Sequence, residues 1–346
     1  MQERTANQGG FRQPAEWEPH ESCWVAWPAA EDLWGDDLAR AQDSFVQMCR
    51  AIGDGERLEV LVPDERRERA AAAALAGVPA RFHRIPYGDI WLRDTAPIFV
   101  RDGSGGVAAA CFGFNGWGGK YILPDDDRVA ARVADAAGLP TLRFPFVLEG
   151  GSVEPDGQGT LLTTRQCLLN PNRNPGMGTE ALERALRNAL GATQVLWLGD
   201  GLLNDHTDGH IDTVARFLSP GVVVCMRPSG SDDPNREVLA AIARDLSSMR
   251  DAAGRRLEVV RVPSPGSVRD AEERVMPASY VNFYLGNRAV VVPTYGTPWD
   301  DQAVEEIAAL FPGRRTVGVP ALAILAGGGA FHCITQQQPR AADPGR

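Results

Sequence analysis

Phe82-His83-Arg84-Ile85-Pro86, a short strand-like piece stopped by a proline, returns along the chain as Leu142-Arg143-Phe144-Pro145, Val259-Val260-Arg261-Val262-Pro263 and Val317-Gly318-Val319-Pro320. Between the second and third stands Val195-Leu196-Trp197-Leu198, without the proline. The steps are roughly 60 residues, the mark of a repeated supersecondary unit. A helical pattern precedes each piece: one capped by Asp64, then 127–137, 179–190, 235–249 and 301–310. Turn residues such as Gly138, Gly191, Gly254 and Pro312 bound them. A second apolar strand follows in most units, at 96–100, 160–164, 221–226 and 288–293. Units of strand, strand and helix predict an α/β fold. Closed radially as five pseudo-symmetric blades of an α/β propeller, they would protect their sheet edges. An open doubly wound sheet is the alternative, but no G-x-G-x-x-G or P-loop follows its first strand.

Outward from these repeats, the N-terminal part reads as a strand over 22–27, an amphipathic helix over 36–52 and a strand over 58–62. Residues 1–13 are polar and read as a loose tail, 14–339 as one domain and 340–346 as a second tail. Toward the other end, Val317 to Ala326 reads as one buried strand leading into Gly327-Gly328-Gly329-Ala330-Phe331-His332-Cys333. Three glycines let backbone approach a ligand closely, and a thiol delivered beside them is placed to act as a nucleophile.

The 346 residues are 44% apolar and 23% charged, which suits a globular protein with a substantial core. A net charge of −10 argues against nucleic acid and mildly favours a cationic ligand. No apolar run is long enough to span a membrane, and the polar N-terminus shows no signal peptide. Six cysteines at 23, 49, 111, 167, 225 and 333 form no CxxC pair, so neither a zinc knuckle nor a disulfide framework is indicated. A reducing cytoplasm fits best.

The chemistry-bearing residues recur in phase with the repeat. Asp94 follows the first strand piece, Glu149 the second, His210 and Asp212 the third, Asn282 the fourth and Cys333 the last. If the blades close, these loops meet at one central site. His210 and Asp212 are two apart and share a face of an extended chain, whereas His332 next to Cys333 takes the opposite face. His206 and His210 would suggest zinc on a helix, but Gly209 and the neighbouring aspartates argue against a helix, so no metal is expected. Carboxylates are a poor setting for a thiolate and a good one for a planar cation with several N–H donors. A guanidinium fits. Cysteine attack on its central carbon, with the histidine as acid and then as base for water, would yield ammonia and a ureido product.

Seven segments carry a resemblance: Ala15-Glu16-Trp17-Glu18-Pro19-His20-Glu21, Trp91 to Pro97, Phe114 to Tyr121, Leu148 to Ser152, Cys167 to Pro175, Asp208-Gly209-His210-Ile211-Asp212 and Gly327 to Pro339. With them the chain resembles the agmatine deiminases of the guanidine-modifying (pentein) superfamily, which includes peptidylarginine deiminases. The resemblance implies a five-bladed α/β propeller without a cofactor, acting on a small cationic guanidine, agmatine, with a homodimer allowed. It implies Cys333 as nucleophile, His210 as general acid and base with Glu149 orienting it, and Asp94 and Asp212 gripping the guanidinium. Trp91 would line the pocket. Beyond the resemblance, Trp117 and Asn282 are candidate substrate-binding residues, and on charge alone Asp208, or Asp205, would meet the ammonium. Ala330-Phe331 and Ala215-Arg216-Phe217 depart from the family pattern and leave those groups intact. Other readings of the same site are deimination of peptidyl-arginine, amidino transfer to an amine and non-catalytic binding of a guanidine or polyamine.

Overall fold

The computed structural model describes residues 10–342; most of both expected tails lies outside them. The described ends of both segments make backbone contacts. Arg12 pairs with the edge of the strand Ile98–Arg101, and the Gln13 N–H donates to the Leu190 carbonyl. At the other end the Ala342 N–H donates to the carbonyl of Gly105.

Five separate sheets carry the repeats. In four of them two antiparallel strands are followed by a helix and a third strand parallel to the second. One example is Ile98–Arg101, Val107–Gly113, the helix Asp126–Ala137 and Thr141–Val147. Glu154–Pro155, Thr160–Thr164 and Gln194–Leu198 repeat this around the helix Thr179–Leu190. So do Ala215–Ser219, Val222–Arg227 and Glu258–Pro263 around Arg236–Ser248. The last of the four uses Tyr284–Leu285, Ala289–Thr294 and Arg315–Pro320 around Asp300–Leu310. The remaining sheet joins the two ends of the chain. Its order is Thr335–Pro339, His20–Ala26, Arg57–Val62, Ala80–Arg84, with the C-terminal strand antiparallel to His20–Ala26.

Local sequence explains the elements. Leu38–Gly53 buries Ala41, Phe45, Met48, Cys49 and Ile52, the stripe of a helix with one face on a core. Full burial of a side chain such as Phe45 is worth about 2 kcal/mol. The side chain of Asp64 accepts from the Arg67 N–H, capping Glu65–Ala74 as its position predicts. Thr179–Leu190 ends at Gly191 in the left-handed region (φ 72°), which a side chain would strain. Val317 to Ala326 is not one strand. The strand stops at Pro320, and Leu322–Ala326 forms a helical turn that buries Ile324 and Leu325. An apolar run of that length reads alike as strand or as buried helix. No helix among the described residues is long and apolar enough to cross a membrane.

Candidate active site

The expected residues sit at equivalent places, each in the connection that enters the first strand of a sheet. Asp94 lies on the helical turn Leu92–Thr95 and Glu149 just before the turn Gly150–Ser152. Asp212 lies on the turn Ile211–Thr213, with His210 immediately before it. Asn282 precedes Tyr284–Leu285, and Cys333 precedes Thr335–Pro339. Backbone bonds tie these connections together. The Arg93 N–H donates to the Cys333 carbonyl (3.1 Å), and the His332 N–H donates to the Asn282 carbonyl (3.1 Å).

The result is a buried cluster from all five sheets. Cys333 Sγ lies 3.2 Å from Asn282 Nδ2 and 3.5 Å from Asp212 Oδ2. His210 Nδ1 lies 3.7 Å from Asp94 Oδ1. Asp94 is fixed from two sides: Oδ2 accepts from the Trp117 indole N–H (2.8 Å) and Oδ1 from the Gly151 N–H (2.9 Å). Trp117 holds this position with φ at 52°, a conformation a bulky residue adopts only when its surroundings require it. Gly151 sits among the reacting groups. A Cβ there would lie 2.6 Å from His210 Nδ1, 3.0 Å from Asp94 Oδ1 and 3.1 Å from Asp212 Oδ2.

Glu149 is held by Arg173. Its Oε1 accepts from Arg173 Nε at 2.7 Å, in an ion pair shut off from solvent. Glu149, Cys167 and His210 each present a side-chain heteroatom, all within 4.8 Å of one another. Both ring nitrogens of His210, Glu149 Oε2 and Asp212 Oδ1 are buried without a hydrogen-bond partner among the described residues. Groups of this kind await donors or acceptors from a ligand.

Charge and burial compete here. Burial alone would push His210 down, but the Asp94 carboxylate, with Cys167 and Glu149, holds the imidazole well above its ordinary value. Burial, then the charges of Asp212 and Asp94, push the Cys333 thiol well up, against the amide of Asn282. Asp212 is pushed up to about 7, chiefly by burial and further by Asp94, while His210 and Arg93 pull the other way.

A cavity of about 370 Å³ opens onto the thiol, lined by Trp34, Asp89, Trp91, Asp94, Trp117 and the glycine run among others. Trp34 and Trp91 stack at 6.2 Å, and both indole N–H groups donate to Asp89, at 2.9 and 2.8 Å. Asp208 does not answer the expectation of a free acid for the substrate's tail. Lys120, Asn172 and Arg173 occupy its oxygens. Asp205 is likewise bound, accepting from the N–H and hydroxyl of Thr207. Asp37, Asp89 and His206 face the cavity instead.

His332 also differs from expectation. Its ring bonds Asp212 Oδ2 at 2.7 Å instead of turning away from the site, because residues 331–334 form a turn and not an extended strand. Arg173, Asp89, Trp34, Glu16 and His332 escaped sequence reasoning. For Glu16, Trp34 and Arg173 no local pattern gives the signal, since the partners that matter lie far away in sequence, and for Asp89 the bond from Trp91 is local but the one from Trp34 is not. For His332 the signal was its place beside the nucleophile.

Comparison with known proteins agrees with this geometry. The profile of the Porphyromonas-type peptidyl-arginine deiminase family matches residues 12–339. The agmatine deiminase of Ectopseudomonas mendocina is 40% identical over 97% of both chains. Among solved structures, the agmatine deiminase of Enterococcus faecalis superposes with a TM-score of 0.93 at 35% identity, over 98% of each chain. A C. jejuni agmatine deiminase variant with substrate bound gives 0.88 at 25% identity, over 96% of this chain and 97% of that one. On this breadth of similarity, the chain belongs to the Porphyromonas-type peptidyl-arginine deiminase family.

Proposed function

We propose that this protein hydrolyses agmatine to N-carbamoylputrescine and ammonia through a covalent intermediate on Cys333. One observation carries the choice of substrate. The cavity wall offers Asp37, Asp89, Asp94 and several aromatic faces, and no Arg or Lys is among the described residues lining it. A guanidinium at one end and an ammonium at the other both suit such walls. The α-carboxylate of free arginine would meet acids without a counter-cation. The names of the relatives point the same way.

In this reading Asp94 and Asp212 accept the N–H edges of the guanidinium, and Trp91 packs its methylenes. The incoming charge offsets the acids that hold the thiol up, so Cys333 gives its proton to water as substrate binds. Sulfur attacks the central carbon and a C–S bond forms. The C–N bond to the terminal nitrogen breaks as His210 donates a proton, and ammonia leaves. The neutral imidazole then takes a proton from water, whose oxygen adds to the same carbon. Collapse breaks the C–S bond, and the hydroxyl proton returns to the thiolate as the ureido product forms. Asn282 steadies the sulfur and Trp117 steadies Asp94. Glu149, held by Arg173, stabilises the imidazolium. Asp208 acts only through Arg173. No step calls for a cofactor or metal, so activity should survive chelation.

The wider expectations belong to the same reading. The five sheets stand as blades around the site within one domain, supported by the equivalent connection that delivers each site residue. The setting is a reducing cytoplasm, supported by six free cysteines. A homodimer is testable by light scattering. The deciding experiment measures ammonia released from agmatine, arginine and a blocked arginine peptide. Agmatine should be preferred; preference for the peptide would overturn the substrate.

A further inference from the structure

His332 is 2% exposed and spans two carboxylates. Nδ1 lies 2.7 Å from Asp212 Oδ2 and Nε2 lies 3.0 Å from Glu16 Oε2. Glu16 is itself fixed: Oε1 accepts from the Leu285 N–H, and Oε2 is in contact with the guanidinium of Arg216. Arg216 in turn donates to Glu154 Oε2 (2.9 Å) and to the Phe283 carbonyl (2.8 Å). On the other side Arg93 Nε donates to the His332 carbonyl at 3.2 Å. A buried chain thus runs from Glu154 through Arg216, Glu16 and His332 to Asp212, which reaches the thiol.

Resting on the guanidine-hydrolase reading above, we infer that His332 is a positioning residue for the substrate's head group: pinned by Glu16, it holds Oδ2 of Asp212 and leaves Oδ1 for the guanidinium. The unpartnered state of Asp212 Oδ1 is what this role requires. Without His332 the carboxylate would be free to rotate about its last bond, and the contact of Oδ1 with the guanidinium would lose its preorganisation. The two ring contacts also need one proton more than a neutral imidazole carries, since each carboxylate oxygen is an acceptor. Burial first, then Arg216, Arg93 and His210, push His332 down, while Asp212 is pushed up. The segment containing Glu16, far from the nucleophile in sequence, thereby acts on substrate binding without touching substrate.

The test exploits the two nitrogens. In His332→Asn the amide reaches the place of Nδ1 and can donate to Asp212; in His332→Gln it reaches the place of Nε2 and cannot. Steady-state kinetics on agmatine are measured for both, and for His332→Ala, on protein whose cooperative melt is retained. The expected result is a KM raised tenfold or more in the Gln and Ala variants, kcat falling less, and recovery to within about threefold of wild type in the Asn variant. Equal impairment of Asn and Gln, a better Gln variant, or an Ala variant like wild type would each overturn the inference. Should the Ala protein not fold, the Asn and Gln pair decides alone. If the wild type prefers another guanidine, only the substrate reading falls, and the same comparison is made on that guanidine.

Discussion

Asp212 shows how one buried side chain sets the pH behaviour of the site. It has to be a carboxylate to hold a cation, yet it is pushed up to about 7, chiefly by burial. A raised acid keeps its proton on the low-pH side of that value, so KM for agmatine should climb as pH falls through about 7. A KM flat from pH 8 down to pH 5 would deny Asp212 this part. His210 works on the opposite limb. Its raised value keeps it an acid well above pH 6.5, so kcat should hold into the alkaline range before falling. The resting thiol gives a separate readout. With Cys333 pushed well up, alkylation of the substrate-free enzyme by iodoacetamide should be slow at pH 8 and still rising beyond pH 9. Fast labelling at neutral pH would mean a thiolate already formed.

At the scale of elements, the turns that enter each sheet place the chemistry, and their small residues are there for space. Gly151→Ala would put a methyl group 2.6 Å from His210 Nδ1, a contact that real Cβ atoms do not make, and tightly against Asp94 and Asp212. The variant should lose at least a hundredfold in kcat/KM while its Tm falls by only a few degrees. An active Gly151→Ala protein would show that these groups are not held as tightly as described. Arg93 joins two of the turns, donating to the His332 carbonyl and to the side-chain oxygens of Gln336 and Gln337. Arg93→Ala strands those acceptors in the interior and should cost about 3 kcal/mol or more, read as a shifted denaturation midpoint. Sequence periodicity reaches this level well in some places and poorly in others. Strands of four to six apolar residues and helices with apolar faces are visible because burial on one side leaves a period. The break at Pro320 was not, because a short apolar run reads alike as strand or as helix. His332 was misplaced for a related reason: alternation predicts its face only if the backbone is extended, and residues 331–334 turn.

At the scale of the whole molecule, the loops meet because the chain returns to its start. The strand Thr335–Pro339 pairs with His20–Ala26, so the nucleophile's turn is anchored to the N-terminal sheet. Deleting residues 335–346 should abolish the cooperative melt along with activity, and a truncated protein that melts like the full chain would contradict that role. Long-range pairing of this kind leaves no local trace. The in-phase recurrence of Asp94, Glu149, His210, Asp212, Asn282 and Cys333 was legible, and so was their meeting place. Glu16 and Arg173, which act through partners far away in sequence, were not. The account as a whole turns on sulfur bonding to the guanidinium carbon while ammonia departs. Mass spectrometry of enzyme quenched during agmatine turnover reads this directly. Cys333 should carry agmatine less one ammonia, with the aminobutyl chain retained, and Cys333→Ala should carry nothing and turn nothing over. A bare amidino group would indicate transfer chemistry instead, and unmodified Cys333 with undiminished turnover in Cys333→Ala would contradict the covalent mechanism outright.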